Sequence, residues 1–162
     1  MKNLLTNKNL YFFAIFFLVF LLDRLSKFYI LNLAESENVD IYINNYINFY
    51  LIWNKGVAFG LLSSDENYLY NIVTALIIII NLIIIYFIFI TKDFRVYFFL
   101  IILGGSFGNL YDRLIYKAVP DFIDLHIGDF HWFIFNVADI FISLGVICLI
   151  FVEIFFNKNL NK

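Results

Sequence analysis

The chain has 162 residues, of which 63% are hydrophobic, 22% aromatic and 15% charged, with a formal net charge of −2. A soluble domain of this length cannot hide so much apolar surface, and the charge balance gives no ground for a nucleic-acid partner. The single cysteine, Cys148, lies in an apolar run, so the sequence holds neither a disulfide framework nor a cysteine zinc site.

Four stretches approach the ~20 apolar residues that span a bilayer, and they predict helices at about 10–33, 68–90, 94–113 and 135–156 within one domain, 1–162. Lys2 and Lys8 before the first stretch give it the look of a secretory leader. The charged pair Asp23-Arg24, rather than small residues of a cleavage site, follows its apolar run, so it is read as a retained helix. Asp23 and Lys27 are four apart and share a face. They are either a self-neutralising pair near the interface or a pair that orients other polar groups.

In the first long connection, Val39 to Trp53 is rich in Ile, Tyr and Phe, with Asn44-Asn45 as a turn candidate. Asn54-Lys55-Gly56-Val57-Ala58-Phe59-Gly60 then predicts a tight backbone path. The second helix is the most uniformly apolar. On the third, Gly104 and Gly108 form a small-xxx-small face for close helix packing, and Asn109, Asp112 and Arg113 cluster near one face. The second long connection holds Asp121 and a segment, 122–135, that alternates around Gly128-Asp129, a hairpin turn. On the fourth helix Asn136, Asp139 and Ser143 fall on one stripe.

The expected fold is therefore an all-α polytopic membrane protein of four transmembrane helices, with small β elements in the two extracytoplasmic loops. Basic residues set its orientation. Lys2, Lys8, Lys92, Arg95, Lys158 and Lys162 flank one side, while the long connections carry only Lys55 and Lys117 against Glu35, Glu37, Asp40, Asp65, Glu66, Asp124 and Asp129. The positive-inside rule places both termini in the cytoplasm and the chemistry on the outer face, where Tyr42, Tyr46, Tyr50, Trp53 and Trp132 suit the interfacial layer.

Asp121 and Asp139 are costly in such surroundings, about 2.5–3.5 kcal/mol each at a bilayer centre, and so point to a protein interior with work to do. Brought together, two carboxyls can share one proton and activate a water. The rival reading is a small proton-coupled transporter or ion-conducting protein; a purely structural subunit leaves the polar stripes without a role. Asp124, His126, Asp129 and His131 match no helix-borne metal motif, alternation is expected to scatter them over a solvated hairpin, and no metal or cofactor is expected. No Gly-x-Ser-x-Gly elbow is present, and Ser26 beside Lys27 is not spaced as a Ser-Lys dyad.

Five blocks, in order, resemble the lipoprotein signal peptidase family, the type II signal peptidases of bacteria. They are Asp23-Arg24-Leu25-Ser26-Lys27, Asn54-x-Gly56-x-Ala58-Phe59-Gly60, Gly104-Gly105-x-x-Gly108-Asn109-x-x-Asp112-Arg113, Val119-x-Asp121-Phe122 and Phe135-Asn136-x-Ala138-Asp139. Pro120 stands where many members carry valine. The resemblance implies a four-helix inner-membrane enzyme that removes signal peptides from prolipoproteins before the diacylglyceryl-modified cysteine. It implies Asp121 and Asp139 as catalytic residues, with Asp23, Lys27, Asn54, Gly56, Asn109, Asp112, Arg113 and Asn136 as supporting and substrate-binding positions. Asp112 is expected to keep Arg113 in place. The implied partners are lipidated prolipoproteins, membrane lipids and globomycin-type inhibitors.

Overall fold

The computed structural model describes residues 7–35, 39–56 and 67–156. In chain order it contains α1 (Asn7–Ala34), β1 (Asp40–Asn44), β2 (Ile47–Asn54), α2 (Asn67–Ile90), α3 (Arg95–Tyr116), β3 (Val119–Ile127), β4 (Phe130–Phe135) and α4 (Val137–Phe156). The helices fall within three residues of their predicted limits. Among the described residues three of them, α2, α3 and α4, are long and apolar enough to cross a membrane. The longer α1 does not qualify, because every comparable stretch from Leu10 onward takes in Asp23, Arg24 and Lys27.

α3 packs against each of the other three helices. Its spanning stretch is 50% buried, against 22% for α2 and 17% for α4, so it is the central post of the bundle. Glycines make that centrality possible. A Cβ on Gly104 would lie 2.8 Å from Val19 Cβ of α1, and one on Gly105 would lie 2.7 Å from the Ala138 carbonyl oxygen of α4. Hydrogen in place of a side chain lets both neighbours reach the α3 backbone. Ile84, Ile102 and Leu103 form the apolar core between helices, with Phe16 and Ile142 packed on it. Outward, Phe13, Phe17, Ile79, Leu82, Ile147 and Phe151 are exposed, an apolar girdle of the kind lipid covers.

The strands depart from expectation. The two long connections do not form separate β elements; they join in one antiparallel sheet of order β1-β2-β3-β4. Its centre is the β2–β3 pairing, which sets Asn54 opposite Val119 and Ile52 opposite Asp121. The first turn sits at Asn45-Tyr46, one residue later than predicted. Asn44 Oδ1 there accepts hydrogen bonds from the Tyr46 and Ile47 amides at 2.9 and 3.0 Å. The second turn is at Gly128-Asp129 as expected, with Gly128 at φ +57°. Phe122 and Val39 seat the sheet against Ile30 near the end of α1. α3 stops at Lys117, which takes a left-handed φ of 60° and turns the chain directly into β3. Asp121 thus lies one short strand away from Asn109 and Arg113.

Candidate active site

α4 begins with a reciprocal cap. Asn136 Oδ1 accepts the Asp139 amide at 3.2 Å, and Asp139 Oδ2 accepts the Asn136 amide at 3.2 Å. This is a capping box built from Asn and Asp, which satisfies two of the four otherwise unpaired amides of a helix start. The cap also fixes the orientation of Asp139. The Asn136 side-chain amide is left to donate to Asp121 Oδ1 at 2.6 Å. One fully buried asparagine therefore bridges the two aspartates expected from the sequence.

The remaining carboxylate oxygens are held from other elements. Asn54, at the end of β2, donates to Asp121 Oδ2 at 2.9 Å, and its own Oδ1 accepts the Gly56 amide at 2.8 Å. Asn109 on α3 donates to Asp139 Oδ1 at 2.9 Å. Burial, and after it the nearby charge of Asp139, pushes the Asp121 carboxyl up from 3.8 to about 6; the bonds from Asn136 and Asn54 pull the other way. Such a group, beside a second carboxyl, can take and return a proton near neutral pH.

Beneath this pair lies a charged platform between α1 and α3. Lys27 Nζ donates to Asn109 Oδ1 at 2.8 Å and to Asp112 Oδ2 at 2.7 Å, and pairs with Asp23 at 2.9 Å. Asp23 in turn accepts the Ala138 amide at 3.1 Å, satisfying another amide at the start of α4. Two acids and two bases, Asp23, Asp112, Lys27 and Arg24, make a neutral cluster in which only Arg24 is partly exposed. Neutralisation is the condition for charges in so dry a place. Gly108 is obligatory beside it, because a Cβ there would run into the Asp23 carboxylate.

Two expectations need correction. Asp112 does not hold Arg113; it accepts two bonds from the Arg24 guanidinium, at 2.5 and 2.7 Å, as well as the one from Lys27. Arg113 instead donates to the carbonyl oxygens of Lys55 (3.3 Å) and Gly56, and its guanidinium lies 5.7 Å from the Tyr70 ring. The histidines are not scattered: Asp124, His126 and His131 converge, and the first two are buried. Arg24 is the residue that sequence reasoning missed as a site component. Its place beside Asp23 was the available signal, but only the fold brings Asp112 to it. Ala58, Phe59 and Gly60 of the second block lie outside the described residues.

Asp139 lines a cavity of about 470 Å³ between α2, α3 and α4. Ile77, Ile80, Ile84, Phe99 and Ile102 line its apolar part; Asn109, Arg113 and Asp139 line its polar part.

The family model described as signal peptidase (SPase) II matches residues 15–156. The chain is similar to the lipoprotein signal peptidase of Pelagibacter ubique (strain HTCC1062), 55% identical over 96% of this chain and 95% of that protein. It is also similar to the lipoprotein signal peptidase of Aquifex aeolicus (strain VF5), 40% identical over 98% and 93%. A solved bacterial membrane enzyme superposes with a TM-score of 0.77 at 26% identity, covering 91% of this chain and 90% of its own. The family model spans most of the chain, and the similarity to these relatives runs nearly its full length; the chain belongs to the signal peptidase II family.

Proposed function

We propose that this protein is an aspartyl endopeptidase of the bacterial inner membrane that cuts prolipoproteins just before the diacylglyceryl-modified cysteine. The observation that carries the reading is Asn136, whose side chain and backbone hold Asp121 and Asp139 at once. Two neighbouring carboxyls in a dry setting cannot both ionise cheaply, so the pair keeps one proton. The ionised member takes a proton from a water as that water attacks the scissile carbonyl. The protonated member gives its proton to the carbonyl oxygen, and the proton taken from the water then passes from the first member to the leaving amine. The two titrate as a unit, and no covalent intermediate is needed.

The cavity supports the substrate side of the proposal. Its apolar walls suit acyl chains and the apolar core of a signal peptide, while Asn109 and Arg113 face the polar backbone around the scissile bond. The same cavity is where a globomycin-type inhibitor competes. α1 is the fourth membrane helix: at ~1.5 Å per residue its 28 residues exceed a bilayer core, and its polar end is neutralised within the protein. Both termini lie in the cytoplasm, and the sheet lies on the outer surface beside the active site. No observation favours the transporter reading over a peptidase.

The reaction is tested with the purified full chain in detergent and two synthetic prolipoproteins, one carrying the diacylglyceryl thioether and one bare. Cleavage of the lipidated substrate alone is expected. Equal cleavage of both would overturn the lipid requirement, and cleavage of neither by folded protein would overturn the assignment.

A further inference from the structure

The hairpin β3–β4 gathers three side chains of metal-binding type. Asp124 and His126 are two apart on β3 and so share a face, and His131 on β4 pairs directly across from His126. One ligand atom from each of the three lies within 4.8 Å of the others. His131 Nδ1 is 2.8 Å from Asp124 Oδ2, His126 Nδ1 is 3.8 Å from the same oxygen, and the two imidazoles stack with centroids 5.1 Å apart.

A hydrogen-bonded Asp–His pair tying a hairpin together accounts for Asp124 and His131. It does not account for His126. That side chain is 9% exposed, and its Nδ1 has no hydrogen-bond partner among the described residues. A buried polar nitrogen without a partner costs about 1–3 kcal/mol, so its retention beside a carboxylate and a second imidazole calls for a ligand. Ligand atoms around a tetrahedral dication sit about 3.4 Å apart, given bonds of about 2.0–2.1 Å. The observed separations reach that with small side-chain rotations. His131 is 56% exposed, which leaves an approach from solvent and room for a water as fourth ligand.

We propose that Asp124, His126 and His131 form a site for a zinc-class divalent cation. Two imidazoles and one carboxylate select borderline transition ions over calcium or magnesium, which prefer oxygen. The bound ion clamps β3 to β4, and β3 carries Asp121 three residues before Asp124. Its role is to hold that strand, not to take part in peptide cleavage.

The test uses the full chain purified in detergent without a polyhistidine tag and titrated with cobalt(II). The expected result is a saturable visible band of a four-coordinate ion at one equivalent per chain, displaced by zinc. His131→Gln alters an exposed residue and should leave a folded protein without the band. Zinc should raise the thermal midpoint of the wild type and not that of the variant, and calcium should raise neither. Absence of the band in folded wild type, its persistence in His131→Gln, or an equal shift with calcium would overturn the site.

Discussion

Asn136 joins three tasks in one side chain and its amide: it caps α4, orients Asp139 and donates to Asp121. Asn136→Ala is expected to lower kcat by about 100-fold, as loss of an orienting partner does, and to cost about 1 kcal/mol through the lost cap. A kcat/KM profile and a thermal midpoint on the same preparation check both. The pH dependence has a definite sign. Asp121 has its carboxyl raised to about 6, so the proton that the pair needs is retained below about pH 6 and lost as pH rises through it. Activity should fall on that alkaline limb. The bond from Asn54 favours the charged form, so Asn54→Ala should move the limb to higher pH; a shift to lower pH would contradict this. Lys27 belongs to the same scale. Removing it leaves Asp23 and Asp112 buried with Arg24 alone, and breaking a buried pair costs about 3–5 kcal/mol. Lys27→Ala should therefore lower the thermal midpoint sharply, with loss of activity following from loss of fold.

At the scale of elements, two glycines should respond to very different degrees for a physical reason visible in their surroundings. A methyl group on Gly108 meets the Asp23 carboxylate and would force α1 away from α3, whereas one on Gly128 meets nothing within 4 Å and is opposed only by its left-handed φ. Gly108→Ala is expected to abolish folded protein on size exclusion; Gly128→Ala is expected to cost only ~1–2 kcal/mol. The helices were legible because hydropathy reports them directly, and both turns because Asn and Gly mark them. The β2–β3 pairing was not legible. It joins segments more than sixty residues apart, and nothing local in Ile47–Asn54 names Val119–Ile127 as its partner. The same reason hid the partner of Asp112: i, i+1 proximity suggested Arg113, while the fold supplies Arg24 and Lys27 from another helix. Period-two alternation puts 124 and 126 on one face and the two-residue turn at 128–129 sets 131 opposite 126, so together they should have placed the three side by side.

For the whole molecule, the division of charge is the main prediction. The exposed Asp93–Arg95–Glu153 cluster joins the α2–α3 connection to α4 and belongs on the cytoplasmic side, with the sheet opposite. In a Cys148→Ala background, Asp129→Cys in the exposed hairpin turn should react with a membrane-impermeant thiol reagent from the periplasmic side. Labelling only after the inner face is opened would invert the topology.

The central claim is that Asp121 and Asp139 act as one catalytic unit. The direct measurement is single-turnover cleavage of a lipidated prolipoprotein by wild type, Asp121→Asn and Asp139→Asn, each first shown to be folded by its thermal midpoint. The expected result is a loss of ~10³-fold or more in both variants, with the double variant no worse than either. Substantial cleavage by either folded single variant would contradict the shared-proton mechanism.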